Sequence, residues 1–167
     1  MHHHRVLHRD IKPANVFLME SGKVKLGDLG LGRLFSSKTQ ETFSVVGTLY
    51  YLSPEAITSA GYDFRSDVWS LGCLLYELAA LRSPFYIVPL NYFTLGTKIK
   101  AADYEPLPDS FSPYLRTLVT MTLRAKPEER PTVDQVYEVL WRCVCVCVCV
   151  CVCVCVCVCV CVCVCVC

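Results

Sequence analysis

Between residues 8 and 15 the chain sets His8, Arg9, Asp10, Lys12 and Asn15 close together: an acid, two cations and an amide. An aspartate such as Asp10 can accept the proton of an attacking hydroxyl. Lys12 can neutralise a phosphate as it transfers, and the Asn15 carbonyl is a hard oxygen donor of the kind Mg²⁺ takes. A second carboxylate, Asp28, follows inside Gly27-Asp28-Leu29-Gly30. The set suits phosphoryl transfer, a reaction driven by positioning and charge with little covalent work for the protein.

Those groups need elements to hold them. Val6-Leu7 leads into the loop, and Val16-Phe17-Leu18 leaves it as a short apolar strand. Glu20-Ser21-Gly22 is a turn, and Lys23-Val24-Lys25-Leu26 alternates charged and apolar, the period of a half-buried strand. The two strands form a hairpin whose far end delivers Asp28 to the side of the loop, where a second Mg²⁺ ligand belongs. Residues 31–52 begin polar and then tighten into Gly47-Thr48-Leu49-Tyr50-Tyr51-Leu52-Ser53-Pro54-Glu55. Phosphorylation can order such a loop by pairing with cations, and Arg9 is the natural partner. Ser44, just before Gly47-Thr48, is the favoured acceptor.

Downstream the pattern turns helical. Ser66-Asp67 is expected to cap a helix running to about Ala80, with Val68, Trp69, Leu71, Cys73, Leu74, Leu75, Tyr76 and Leu78 on every face. A helix apolar all round is a buried central one, so Trp69 and Cys73 read as core. Arg82-Ser83-Pro84-Phe85 ends it. A weaker helix is expected over 91–102, a Pro-rich connection over 104–113, and a helix over 113–123 carrying Leu115, Leu118, Val119 and Thr122. Lys126 to Pro131 is a charged loop, after which Thr132 caps a last helix through Val133, Val136, Val139 and Leu140.

Composition misleads until the chain is divided. Cys143 to Cys167 is an unbroken Cys-Val alternation holding 13 of the 14 cysteines, and all 16 basic and 15 acidic residues precede it. Residues 1–142 have the balance of an ordinary intracellular globular domain, with no basic excess for nucleic acid or a membrane surface. Regular alternation fits neither a disulfide framework nor zinc-ligand spacing. No secretory signal is evident. His2, His3 and His4 read as a solvated surface run. As a strand the tail would be an aggregation-prone edge, and as a helix it would be long enough to cross a bilayer. A TG dinucleotide repeat also translates as Cys-Val in every frame, and translated repeat is the favoured reading. No membrane association is expected unless the tail inserts.

His8-Arg9-Asp10-Ile11-Lys12-Pro13-Ala14-Asn15 is similar to the catalytic-loop signature H-R-D-x-x-x-x-N of protein kinases. With Leu26-Gly27-Asp28-Leu29-Gly30-Leu31-Gly32-Arg33, Gly47-Thr48-x-Tyr50-Tyr51, Ser53-Pro54-Glu55, Ser66-Asp67-Val68-Trp69-Ser70-Leu71-Gly72-Cys73 and Arg130-Pro131, residues 1–142 resemble the C-terminal lobe of a serine/threonine protein kinase. The resemblance is strongest to the NIMA-related kinases, and to their short branch, which is little more than a catalytic domain. It implies an α+β family fold. This chain is then mainly α-helical, a C-lobe with a short β-hairpin by the active site and without the N-lobe.

By that resemblance Asp10 is the base, Lys12 the γ-phosphate contact, and Asn15 and Asp28 the Mg²⁺ ligands, with ATP as donor. Lys12 implies serine/threonine specificity. Arg9 and Asp67 support the loop, Ser44 matches the activating phosphosite, and Thr48 shapes the substrate pocket. Glu55 and Arg130 match a structural ion pair. Leu49 departs from the family's Pro, D-L-G from the usual D-F-G, and S-P-E from A-P-E. No G-x-G-x-x-G loop, V-A-I-K-type lysine or partner glutamate helix occurs in the 167 residues, so the nucleotide site is incomplete and negligible activity is expected of this chain. The expected partners are protein substrates with Ser/Thr acceptors and other NIMA-related kinases, with no nucleic acid. The expected location is the cytoplasm, with centrosome, spindle or nucleus as family alternatives. The competing readings are a non-catalytic C-lobe binding module and a non-functional truncated gene product.

Overall fold

The computed structural model describes residues 1–28, 48–59 and 61–141, with Thr48 described by its backbone alone. Leu29 and Gly30 of the D-L-G motif, Ser44, and the Cys-Val tail lie outside the described residues. Two strands, β1 (Val16–Leu18) and β2 (Val24–Leu26), pair antiparallel with Val16 opposite Leu26 and Leu18 opposite Val24. The hairpin is the one expected, and its turn has Gly22 at φ 75°, a conformation glycine adopts without steric penalty. Its burial is not as expected. All three β2 residues are exposed, because among the described residues nothing packs on either face of the two-stranded sheet.

The rest is helical. Helix α1 (Pro54–Ile57) is one turn, capped by Ser53 Oγ accepting from the Ala56 N–H. Helix α2 (Phe64–Ala80) is the buried centre. Its cap is Asp63, not the expected Ser66: the Asp63 carboxylate accepts from the Arg65 and Ser66 N–H groups, while Ser66 Oγ accepts from the Asp63 N–H. This reciprocal box satisfies donors that a helix start leaves unpaired. The earlier start places Ser66 and Asp67 inside the first turn, where their side chains face inward. At the other end Leu81, at φ 56°, turns the chain out of the helix.

Helix α3 (Tyr92–Ala101) starts on Asn91, whose side chain accepts from the Thr94 N–H, and α4 (Pro113–Thr122) starts on Ser112 in the same manner. A last helix, α5 (133–141), opens on a second box in which Thr132 and Gln135 exchange side-chain and backbone bonds. One core joins α2, α3, α4 and α5 through Val68, Trp69, Cys73, Tyr76, Phe85, Leu95, Ile99, Leu118, Val119, Leu123 and Val136. Helices α2 and α4 approach closely at Gly72, where an added Cβ would stand 2.9 Å from the Thr122 Cβ. The polar residues of α2 are therefore held on a rigid, dry scaffold, ready to orient what docks on it.

Candidate active site

Asp10 is buried, and its Oδ2 receives two donors: the Lys12 ammonium at 2.7 Å and the Asn15 side-chain amide at 2.9 Å. Asn15 Nδ2 also donates to the Asp10 carbonyl at 2.7 Å. With the amide nitrogen committed, the carbonyl oxygen is the part of Asn15 able to face a cation. A 3₁₀ turn over Pro13–Asn15 brings the amide back over the aspartate, and Pro13 suits its first position because no N–H is needed there. The expected acid, lysine and amide are thus brought onto a single oxygen atom.

The loop that carries them is bent. Arg9 has φ 70°, a left-handed conformation costing a non-glycine residue on the order of 1–3 kcal/mol unless the surroundings impose it. Asp67 imposes it. Its carboxylate, buried in α2, accepts the His8 N–H on Oδ2 and the Arg9 N–H on Oδ1, each at 2.9 Å. The Tyr62 hydroxyl donates to Oδ1 at 2.8 Å and His2 Nε2 lies 2.9 Å from Oδ2. The His8 ring closes the arrangement: Nε2 donates to the Gly27 carbonyl at 2.9 Å, and Nδ1 accepts from the Asp10 N–H at 3.3 Å. Those two partners together require the Nε2–H tautomer, since a carbonyl only accepts and an amide N–H only donates.

The histidine run is not simply solvated. His2 lies against the Phe64 ring, centroids 4.9 Å apart, and reaches the buried Asp67; His3 pairs with Asp134 at 2.9 Å on the surface. The run forms a short 3₁₀ helix of its own, His2–His4.

The hairpin delivers its far end to this loop as expected. The Gly27 N–H donates to the Asn15 carbonyl at 2.9 Å, so Gly27 is held from both sides, by Asn15 and by His8. Asp28 follows at once, exposed and at φ 61°, a conformation aspartate tolerates better than most residues. Asn15 and Asp28 offer a carbonyl and a carboxylate, the hard oxygen pair that fits Mg²⁺, an ion that keeps several waters and shares phosphate oxygens.

On the other side, a 3₁₀ turn over Thr48–Tyr51 leads through Ser53 into α1. Glu55 at the start of α1 meets Arg130 in a two-pronged pair, Nη1 to Oε1 at 2.7 Å and Nη2 to Oε2 at 2.8 Å. Arg130 is otherwise saturated: Nε donates to the Arg124 carbonyl, Nη2 to that of Ala125 and Nη1 to that of Arg65, and its guanidinium lies 4.9 Å from the Trp69 ring centroid. Burial pushes the Glu55 carboxyl up, but hydrogen bonds from Arg130 and Ser66 outweigh it and hold the group below the ordinary carboxylate range.

Sequence reasoning did not single out His8, Tyr62, Ser66, Ser70 or Glu77, all of which bind site backbone or site side chains. His8 was visible as the first letter of its motif. The others belong to α2 or its approach and read there as ordinary helix polarity.

Residues 1–142 match the protein kinase domain family. The chain is similar to mouse serine/threonine-protein kinase Nek2, 46% identical over 135 residues that make up 81% of this chain and 30% of the relative. It is 47% identical to mouse Nek3 over 132 residues, 79% of this chain and 25% of the relative. Human Nek2 is 44% identical over 135 residues, 81% of this chain and 30% of the relative. The chain therefore spans about a third or less of the length of these relatives. A catalytic-loop acid held by lysine and amide, and an HRD backbone held by a buried aspartate, agree with that match: the chain belongs to the protein kinase domain family and, within it, to the NIMA-related serine/threonine kinases.

Proposed function

We propose that this chain carries the acceptor-side lobe of an enzyme that transfers the γ-phosphoryl group of ATP to serine or threonine hydroxyls of proteins. The convergence of Lys12 and Asn15 on Asp10 Oδ2 carries the reading. Asp10 would take the hydroxyl proton as the oxygen attacks. Lys12, already drawn over that carboxylate, is placed to follow a phosphoryl oxygen arriving at the same spot. Asn15 and Asp28 would hold Mg²⁺, which when bound neutralises phosphate charge. Thr48 would border the acceptor residue, and phosphorylation at Ser44 would engage Arg9. Glu55–Arg130 would fix the end of the segment between.

The lobe boundary at about residue 142, the short-branch assignment, protein substrates, other NIMA-related partners and a cytoplasmic, centrosomal, spindle or nuclear site are proposals that rest on family membership. The 167 residues contain no glycine-rich phosphate loop and no strand lysine to pair with it, so turnover by this chain alone is expected at background. Radiolabel transfer from ATP to a mixed protein acceptor tests both parts. The chain alone should match its Asp10→Ala variant. Joined to the nucleotide-binding lobe of a NIMA relative, it should turn over in a manner Asp10→Ala abolishes. Turnover insensitive to Asp10→Ala in the joined chain would refute the assignment.

A second reading, a non-catalytic module, draws support from the bare hairpin, where Phe17, Leu18, Val24 and Leu26 are exposed together. Co-purification of the isolated chain with a full-length NIMA-related kinase would favour it, and loss of that capture on Leu18→Lys would place it on the hairpin.

A further inference from the structure

One side of α2 is polar although the helix is otherwise core. Ser66, Ser70, Cys73 and Glu77 follow one another at intervals of four, three and four residues, the spacing of a single helix face. Ser66 Oγ donates to Glu55 Oε1 at 2.5 Å. Ser70 Oγ donates to the Tyr51 carbonyl at 3.0 Å, a bond it shares with the Ser66 carbonyl at 3.2 Å. The Tyr51 hydroxyl donates to Glu77 Oε2. The face thus receives the chain from Tyr51 to Glu55 at three points, and Tyr51 is fastened at both its backbone and its phenol.

From this geometry we infer that Glu77 is a positioning residue: through the Tyr51 phenol it fixes the Thr48–Tyr51 turn on α2, independently of Asp67, which fixes the Asp10 loop. Two observations support the separation. Asp67 and Glu77 stand at opposite ends of α2, nearly three turns apart, and among the hydrogen bonds given for the described residues they share no partner. The phenol is also committed to the carboxylate: burial first, then the Glu77 bond and charge, push Tyr51 ionisation upward, so the hydroxyl stays a donor. Tyr50, the neighbour in the turn, lies against Tyr86 with ring centroids 6.1 Å apart, so the turn is braced on a second side by the segment that follows α2. That the turn faces the acceptor rests on the proposed kinase reading; the tether itself does not.

Hydrogen exchange read by mass spectrometry on the full chain tests the tether without requiring catalysis. Tyr51→Phe and Glu77→Ala should each speed exchange across residues 48–52 by about tenfold or more, the scale of a lost hydrogen bond to a charged group. The double variant should go no further than either single one, since both remove the same bond. Residues 8–15 should be unchanged. Glu77→Gln, whose amide oxygen still accepts from the phenol, should restore protection at 48–52. Unchanged exchange at 48–52 in Tyr51→Phe would overturn the inference. So would acceleration spread over 8–15 and 48–52 alike in Tyr51→Phe and Glu77→Gln, which would make Glu77 a general fold residue. Failure of the tether would leave Asp10-dependent transfer standing, and absence of transfer would leave the exchange result intact.

Discussion

Glu55 and Arg130, 75 residues apart in sequence, meet as a fork-on-fork ion pair with the arginine side chain wholly buried. The pair joins the chain leaving the acceptor-side turn to the loop before α5. Arg130 also donates to three backbone carbonyls, so the charge is enclosed by acceptors and lies near the Trp69 ring, itself stacked on Phe85. Nothing in this cage is replaceable by water without rebuilding the region.

Removing one partner should therefore be costly. Arg130→Met leaves the largely buried Glu55 carboxylate without its cation and should cost about 3–5 kcal/mol, whereas exchanging both residues for apolar ones should cost much less. Urea unfolding of the single and double variants measures this. A single-variant cost within the scatter of surface substitutions would contradict the buried-pair account.

Acid should probe the same pair. The Glu55 carboxyl is held low in the folded chain, so its stabilisation is fully present above the unfolded carboxylate value of about 4.3 and is lost as pH falls through the folded value. Wild type should exceed Glu55→Gln in stability at neutral pH, and the gap should narrow on acidification below about pH 4. Unfolding free energies at several pH values check the sign. A gap that widens toward acid would reverse the assignment.

Asp67→Ala should loosen the catalytic loop more than it loosens α2. It strips the His8 and Arg9 N–H groups of their acceptor and releases the strained Arg9 backbone. Each buried donor left unpaired costs about 1–3 kcal/mol. Faster amide exchange confined at first to residues 8–15 is the expected result, with any transfer activity falling in parallel.

Gly72→Ala tests the crossing of α2 and α4. The new Cβ would come 2.9 Å from the Thr122 Cβ and 3.0 Å from a Leu123 methyl, inside the core, where side chains cannot swing clear. Overpacking of this kind costs about 1–3 kcal/mol even though alanine is the better helix former. A melting temperature at or above wild type would show that the helices separate more easily than their packing indicates.

The sequence alone determined the chemistry-bearing loop and the character of most elements. Local spacing decides these: Asp10, Lys12 and Asn15 lie within one short loop, the hairpin has a turn between two apolar runs, and α2 is apolar on nearly every face. The tertiary structure decided what holds them. That Asp63 rather than Ser66 caps α2 depends on which side chain reaches which N–H group, and the shift freed Ser66 and Asp67 to face inward. Why β2 is exposed on every residue follows from what packs nearby, which alternation cannot reveal. His2 reaching Asp67, and Glu77 reaching Tyr51, are contacts across 65 and 26 residues between groups whose types are common on any surface. Chain period encodes a residue's own face; it does not encode which distant backbone will arrive opposite it.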